Sequence, residues 1–124
     1  MNSIAYCIKF RAQNDVTQEI FDQLGEMYER ALRIDPNDVE ANFNSGLLYL
    51  QYSSELETSL RFFMASVQRD VPNDRRSEMF RAQFSKAYYN IGMIYDKMGK
   101  TQEACDSYKK SLKKCEEDPQ KKLT

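Results

Sequence analysis

The side chains that most often carry chemistry in proteins are sparse in this sequence. No histidine is present, so general acid or base catalysis would have to use carboxylates, lysine or tyrosine. The carboxylates are scattered without a convergent pair, and the sequence has neither a glycine-rich phosphate loop nor a metal-ligand spacing. We therefore predict a protein that is not an enzyme and that binds no metal or cofactor.

The three cysteines are the remaining candidates for reactive chemistry. Cys7, Cys105 and Cys115 are an odd number without a CxxC pair, and no histidine completes a zinc site or a Cys–His dyad. Cys105 and Cys115 lie ten residues apart in one predicted helix, too far to pair with each other. We expect three reduced, partly buried thiols.

Composition and charge argue against two classes of partner. The 124 residues include 18 basic and 19 acidic side chains, so no net field draws the chain to nucleic acid or to an anionic membrane. The opening MNSIAYCIKF is interrupted by Lys9 and followed by Arg11, which fits neither a signal peptide nor a membrane span. We expect a folded cytoplasmic protein that binds neither nucleic acid nor membrane.

Turn-forming residues divide the chain into predicted helices. "DPND" at 35–38 and "VPND" at 71–74 combine a proline with capping residues. Between such breaks the apolar residues recur at spacings of three and four, as at Ile20, Leu24 and Met27, which is the helical period. Six helices are predicted, followed by a tail at 117–124, and their ranges are 3–13, 16–34, 38–52, 55–70, 75–97 and 101–116.

An internal repeat organises these helices. Small or aromatic residues recur at offsets of +3, +12, +16 and +19 from a small residue. These positions are Tyr95, Ala104, Tyr108 and Ser111 after Gly92; Tyr49, Thr58, Phe62 and Ala65 after Gly46; and Asp15, Leu24, Tyr28 and Ala31 after Ala12. Gly46 and Gly92 would let a paired helix cross closely, with the residue at +12 filling the contact. Such hairpins bury their apolar faces only by stacking on neighbours.

The third copy reads Tyr88-x2-Ile91-Gly92-x2-Tyr95 and then Ala104-x3-Tyr108, and the second reads Asn42-x2-Ser45-Gly46-x2-Tyr49 and then Thr58-x3-Phe62. Both resemble the tetratricopeptide repeat family. The first copy has Ile8, Arg11, Ala12 and Asp15 in the leading places and matches clearly only from Leu24 to Pro36.

The resemblance implies an all-α fold, a right-handed superhelical array of three helix-turn-helix hairpins. The hairpins would span about 3–34, 38–70 and 75–116 in a single domain covering 1–124. Members of the family act as non-catalytic adaptors or scaffolds for protein–protein interaction. Their partners, peptides or proteins, usually lie along the concave wall formed by the first helix of each hairpin.

Carried onto this chain residue by residue, the resemblance implies a groove that holds an acidic or C-terminal peptide with apolar anchors. The implied wall residues are Lys9, Phe10, Gln13, Phe43, Asn44, Leu47, Gln51, Lys86, Tyr89, Asn90, Met93 and Lys97. Chaperone-binding members grip a terminal carboxylate with two lysines, two asparagines and an arginine. Lys9, Asn44 and Lys86 match that clamp, whereas Gln13 replaces an asparagine and Asn90 replaces the arginine.

The spacing before the third copy is irregular. Gly46 lies 34 residues after Ala12, but Gly92 lies 46 residues after Gly46, and ten of the extra residues precede Gly92. If they are helical, the fifth helix overshoots its partners by about 15 Å and exposes Met79, Phe80 and Phe84 as an apolar docking patch. If residues 73–78 form a loop instead, Met79 and Phe84 extend the core.

A second function stays open beside the adaptor. The chain would then be a structural or assembly subunit that forms a homodimer, or packs into a larger complex, through its helical ends and the 79–84 extension. The lysines Lys109, Lys110, Lys113 and Lys114 on the last predicted helix solvate that end in the simpler interpretation.

Overall fold

The computed structural model describes the backbone of residues 3–71 and 74–116 and, within these, the side chains of 18–71, 74–75 and 77–116. The described residues form six helices and no strand, which confirms the all-helical prediction. The predicted tail at 117–124 lies outside the described residues. The helices are α1 (Ser3–Ile34), α2 (Val39–Tyr52), α3 (Leu56–Ser66), α4 (Arg75–Met79), α5 (Arg81–Lys97) and α6 (Thr101–Glu116).

Helix α1 runs without interruption through the break expected at Asn14 and Asp15, so that prediction is wrong. Asparagine and aspartate each cost only about 0.7 kcal/mol or less relative to alanine inside a helix, whereas a strong stop needs glycine or proline. The stretch assigned to the first hairpin is therefore one 32-residue helix. It ends at Ile34 because Asp35 precedes Pro36, a position that disfavours helical backbone.

The "DPND" turn is held by side chains of the following helix. The Asp38 carboxylate caps α2 by accepting a hydrogen bond from the Ala41 N–H at 2.9 Å. The buried Asn42 amide donates to the carbonyl oxygens of Pro36 at 3.1 Å and Asp38 at 2.9 Å. These bonds fix the angle at which α2 leaves α1.

The two hairpins α2/α3 and α5/α6 cross closely at their glycines, as expected. A Cβ atom on Gly46 would lie 2.9 Å from the Phe63 ring, and one on Gly92 would lie 2.6 Å from the Tyr108 ring. The contact is made by an aromatic ring and not by the residue at +12. Ser59 adds a hydrogen bond of 2.7 Å from its hydroxyl to the Gly46 carbonyl oxygen.

The second hairpin is displaced by one residue from the predicted pattern. Helix α2 continues for six residues past Gly46, to Tyr52, whereas α5 continues for only five past Gly92, to Lys97. Because of this extra residue, the α3 side chains that pack against α2 stand one position later in the sequence than predicted. Consequently Ser59, Phe63 and Ser66 are fully buried, and the predicted Thr58, Phe62 and Ala65 are only partly buried.

The chain ends α5 differently from α2. Gly99 has a φ of +78°, a left-handed conformation that is favourable for glycine, and it ends α5 in the Met-Gly-Lys turn. Ser53 ends α2 in an extended conformation instead. The different C-terminal conformations accompany the one-residue difference in helix length.

The ten extra residues before Gly92 form neither a long helical extension nor a simple loop. A five-residue helix, α4, ends at Met79, and α5 starts after a turn at Phe80. The buried Ser77 hydroxyl accepts a hydrogen bond from the Val71 N–H at 2.7 Å and so ties α4 back to the segment after α3. The prediction of an extended fifth helix is wrong, since α5 begins at Arg81.

A partly buried polar cluster joins the segment after α3 to the last hairpin. The Tyr88 hydroxyl donates to Asp70 Oδ2 at 2.6 Å, and Lys114 Nζ lies 2.5 Å from Asp70 Oδ1. Burial, together with the hydrogen bond to the Asp70 carboxylate, raises the pKa of Tyr88. This cluster fixes the position of α5 relative to α3 and α6.

The apolar core lies where α2, α3 and α5 meet. Its buried members are Phe43, Phe63, Ala87, Ile91 and Ile94. None of the helices formed by residues 3–71 and 74–116 is both long enough and apolar enough to cross a membrane.

Alanine at Gly46 or at Gly92 should destabilise the protein by up to about 2 kcal/mol. Overpacking costs about 1–3 kcal/mol, which exceeds the gain of about 1 kcal/mol that alanine brings to a helix interior. Gly25→Ala is the matched control, because its Cβ would lie 3.7 Å from Leu48, an ordinary contact; it should stabilise by about 0.5–1 kcal/mol. Urea unfolding midpoints measure all three. Equal changes in the unfolding midpoint at the three glycines would contradict the close approach of the paired helices at Gly46 and Gly92.

Tyr88→Phe should lower the unfolding free energy by about 2 kcal/mol, since a hydrogen bond to a charged group is lost. The folded state favours the neutral phenol, so the contribution is complete below the unfolded pKa of about 10 and declines at higher pH. The difference between wild type and variant should therefore shrink above about pH 10. Tyr89→Phe, at an exposed ring on the same helix, is the control; an equal loss in both variants would refute the role of Asp70.

Candidate functional site

A cavity of about 430 Å³ opens between the inner faces of α2 and α5. Five of its seven lining residues were predicted from the sequence as wall residues. The lining residues are Phe43 and Leu47 from α2, Ser85, Lys86, Tyr89 and Asn90 from α5, and Ser111 from α6.

Helical spacing brings these side chains together. Phe43 and Leu47 are four residues apart on α2, and Lys86, Tyr89 and Asn90 follow the i, i+3, i+4 pattern on α5. Residues with these spacings share one face of a helix. The crossing of α3 under both helices then turns the two faces toward the same cavity.

The cavity combines an apolar floor with an open polar side. The buried Phe43 ring packs edge-on against Phe63 with ring centroids 5.6 Å apart. Tyr89 leaves 53 % of its surface exposed, although its ring centroid lies 5.7 Å from that of Tyr108. Lys86 is exposed and Asn90 is half-buried. The cavity thus offers apolar contact, an amide that can bond a peptide backbone and a cation that can attract a carboxylate.

The other predicted wall residues divide into two groups. Asn44 and Met93 are half-buried and Gln51 and Lys97 are exposed, all on α2 or α5 but outside the cavity lining. Lys9, Phe10 and Gln13 lie in α1, among the residues whose side chains the structure does not describe. Of the carboxylate-clamp positions with described side chains, Lys86 and Asn90 line the cavity and Asn44 does not.

Two lining residues were absent from the predicted wall. Ser85 Oγ donates to the Ser111 carbonyl oxygen at 3.0 Å, and Ser111 Oγ donates to the Ser85 carbonyl oxygen at 2.7 Å. This reciprocal pair ties α5 to α6 at the cavity. Ser111 carried a signal, its repeat offset of +19, whereas Ser85 carried none beyond its place next to Lys86.

The predicted apolar docking patch is corrected by the structure. Phe84 is fully buried and belongs to the core, so it cannot contact a partner. Met79 is 75 % exposed at the end of α4, and Phe80 is half-buried with its ring centroid 6.1 Å from that of Phe84. The turn at Phe80 allows Phe84 to enter the core while Met79 stays outside.

The described helices form two hairpins, α2 with α3 and α5 with α6, with a cavity on their inner face. The tetratricopeptide repeat model matches residues 85–118, which take in most of α5 and all of α6. The chain therefore carries a tetratricopeptide repeat, and the resemblance recognised in the sequence is confirmed.

Curated relatives share most of the chain at low identity. The Hsp70-Hsp90 organising protein of Plasmodium falciparum is 26 % identical over 107 residues, covering 84 % of this chain and 18 % of the relative. The mitochondrial import receptor subunit TOM70 of Homo sapiens and that of Rattus norvegicus are each 25 % identical over 101 residues, covering 82 % of this chain and 15 % of the relative. The chain thus spans less than a fifth of the length of these relatives.

Proposed function

We propose that this protein is a non-catalytic adaptor that binds a peptide segment of another protein in the groove between α2 and α5. The observation that carries the proposal is the cavity lined by Phe43, Leu47, Lys86, Tyr89 and Asn90. Its buried floor lies beside exposed aromatic and cationic groups, so a bound segment could place an apolar side chain inside and a charged group at the rim.

The charges of the groove favour an acidic peptide or a free C-terminus. Lys86 and Lys97 are both exposed on α5, and a lysine ammonium attracts a carboxylate without needing a fixed approach direction. Asn44 and Asn90 supply amides that can donate to a peptide carbonyl and accept from a peptide N–H. Such a wall would bind the backbone of an extended peptide. It would select the peptide by one apolar side chain and one carboxylate.

The relatives support a protein as the partner. The name of one couples two chaperones, Hsp70 and Hsp90, and the name of the others is that of a mitochondrial import receptor subunit. Together with the carboxylate clamp that the family resemblance implies, this name makes a chaperone C-terminus one candidate source of the carboxylate. The clamp is incomplete, because Asn90 stands where clamp-forming members have arginine, and an amide cannot reproduce the bidentate fork of a guanidinium.

Binding should depend on a free terminal carboxylate. The probe is a fluorescein-labelled peptide with one apolar anchor and acidic residues at its C-terminus, titrated by fluorescence anisotropy against the same peptide with an amidated terminus. Amidation removes a charge-assisted hydrogen bond and should weaken binding about tenfold or more. Equal affinity for the two peptides rules out carboxylate recognition but leaves groove binding to be judged by variants.

The groove itself is tested by Lys86→Glu. Lys86→Glu should abolish detectable binding of the acidic peptide, because it reverses the charge at the rim of the cavity. Lys109→Glu, at an exposed lysine of α6 outside the cavity lining, changes the net charge equally and should bind as the wild type does. If both charge reversals weaken binding alike, the peptide is held by the overall field and the groove proposal fails.

A second function, assembly of the chain into an oligomer or larger complex, is favoured by a separate observation. Large apolar side chains are exposed along α1 and at the end of α4, among them Met27, Ile34 and Met79. Met27 and Ile34 are seven residues apart and lie on one side of α1, and an exposed apolar patch of this kind can mark a contact site.

A further inference from the structure

A second cavity, of about 520 Å³, opens between α1, α2 and α3. Helix α2 contributes Ser45, Leu48 and Tyr49 to its lining, whereas Phe43 and Leu47 of the same helix line the groove. Because successive residues of a helix turn by about 100°, these two sets lie on opposite sides of α2. The second cavity is therefore a separate surface from the groove between α2 and α5.

Three aromatic rings, one from each helix, form the floor of this cavity. Phe21 of α1 meets Tyr49 of α2 edge-on with ring centroids 5.4 Å apart, and Tyr49 stacks on Phe62 of α3 at 5.5 Å. All three rings line the cavity and are half-buried. Cavities that bind ligands have volumes of about 300–1,000 Å³ and predominantly apolar walls. This aromatic floor thus offers the contact that a large apolar side chain needs.

Small residues leave this space open. Ser45 directly precedes Gly46, whereas the residue that precedes Gly92 in the other complete hairpin is Ile91, which is buried. On the α1 side the lining includes Gly25, which has no side chain to add. Close packing would fill this volume if both positions carried larger side chains. The cavity is consequently a feature of the second hairpin that the third does not share at the same position.

The Ser45 side chain points to a polar group in a bound ligand. Ser45 is only 3 % exposed and lines the cavity, yet its hydroxyl makes no hydrogen bond to any residue that the structure describes. Two other buried serines of this hairpin, Ser59 and Ser66, donate to carbonyl oxygens at 2.7 and 2.6 Å. Buried hydroxyls normally have such partners. A peptide backbone would supply one, because a hydroxyl both donates and accepts.

The rim of the cavity is acidic. Asp22, Glu26 and Glu29 of α1 line it and are exposed. Their spacing of four and three places them on one face of the helix, in a row about 10 Å long at 1.5 Å per residue. The Gln18 amide donates to Asp22 at 3.0 Å, and this neutral partner leaves the carboxylate charged. The acidic rim therefore favours a cationic ligand.

The basic side chains near the rim do not cancel its charge. Arg30 pairs with Glu26 at 2.6 Å, but both side chains are exposed, and such surface pairs are weak. Arg33 on α1 and Arg61 on α3 are exposed outside the lining. None of the described basic side chains lines the cavity. The two other rim carboxylates are thus open to a cation from outside the chain.

We propose that this cavity binds a basic segment of another protein, with one large apolar side chain on the aromatic floor and lysine or arginine side chains along the acidic rim. The Ser45 hydroxyl bonds the backbone of that segment. The charge preference is opposite to that of the groove, where Lys86 attracts acidic peptides. The inference goes beyond the proposed groove function, and neither site depends on the other.

The first test compares peptides that differ in charge and in anchor. The probe is a fluorescein-labelled peptide with one phenylalanine flanked by lysines and with both termini blocked, titrated against the full chain by fluorescence anisotropy. It should bind saturably and more weakly at high salt. A peptide with serine in place of phenylalanine should bind about tenfold more weakly, and one with glutamate in place of lysine should not bind detectably. If the lysine peptide binds no better than the glutamate peptide, the proposal is overturned.

A double charge reversal then locates the binding site. Asp22→Lys with Glu29→Lys should abolish detectable binding of the lysine peptide. Asp96→Lys with Glu116→Lys is the matched control, because both residues are exposed outside the two cavities and the net charge changes equally. This control should bind within about twofold of the wild type, and circular dichroism checks the helix content of both variants. Equal losses would mean that overall charge holds the peptide, which refutes the cavity site.

Two further variants separate this site from the core and from the groove. Ser45→Ala removes a hydroxyl without an internal partner, so the urea midpoint should not fall, whereas peptide binding should weaken about fivefold; unchanged binding contradicts the placement of the backbone. Lys86→Glu should not weaken binding of the lysine peptide, and a loss there would place the peptide in the groove. Light scattering identifies another occupant: a wild-type oligomer that Asp22→Lys with Glu29→Lys makes monomeric assigns the cavity to a second copy and overturns the proposal.

Discussion

The structure depends on two points where one helix has no side chain and an aromatic ring of its partner fills the space. At Gly46 the ring is Phe63, and at Gly92 it is Tyr108, both within 3 Å of where a Cβ atom would stand. Because the fully buried Phe63 ring cannot move back without opening the core, the distance between α2 and α3 is set by van der Waals contact. The groove inherits its width from these contacts, since α2 and α5 are each positioned by the helix behind them.

The groove is therefore a consequence of packing on the opposite side of the same helices. Phe43 lines the cavity and also packs against Phe63, the residue that contacts Gly46. Tyr89 lines the cavity and packs against Tyr108, which contacts Gly92. The neighbouring Tyr88 faces the other way and is held by Asp70. Each of these groove-lining rings thus packs directly on the ring that contacts a glycine, which keeps the binding surface preorganised.

The sequence predicted the helices wherever glycine, proline or a repeated offset marked them. The prediction failed where tertiary packing determines a helix end or the burial of a side chain. The all-helical class followed from periodicity and from the family pattern, whereas the five cavity residues expected from the sequence followed from the family pattern alone. The shift from Phe62 to Phe63 could not be predicted, because it arises from one additional helical residue after Gly46. The burial of Phe84 depended on the turn at Phe80, where no proline or glycine gave a signal. The break expected at Asn14 and Asp15 was wrong because residues that are common in turns are also tolerated inside a long helix.

The chemistry of the groove and the proposed assembly of the chain are connected through binding affinity. A wall with lysine and amides in place of an arginine fork makes contacts that are weaker and more easily screened by salt. A single groove of that kind holds a short peptide loosely. If the chain assembles into an oligomer, as the second proposed function states, two grooves would let a partner with two such segments bind both of them, and linkage of this sort strengthens binding by about 10²–10⁴ when the geometry allows both to engage.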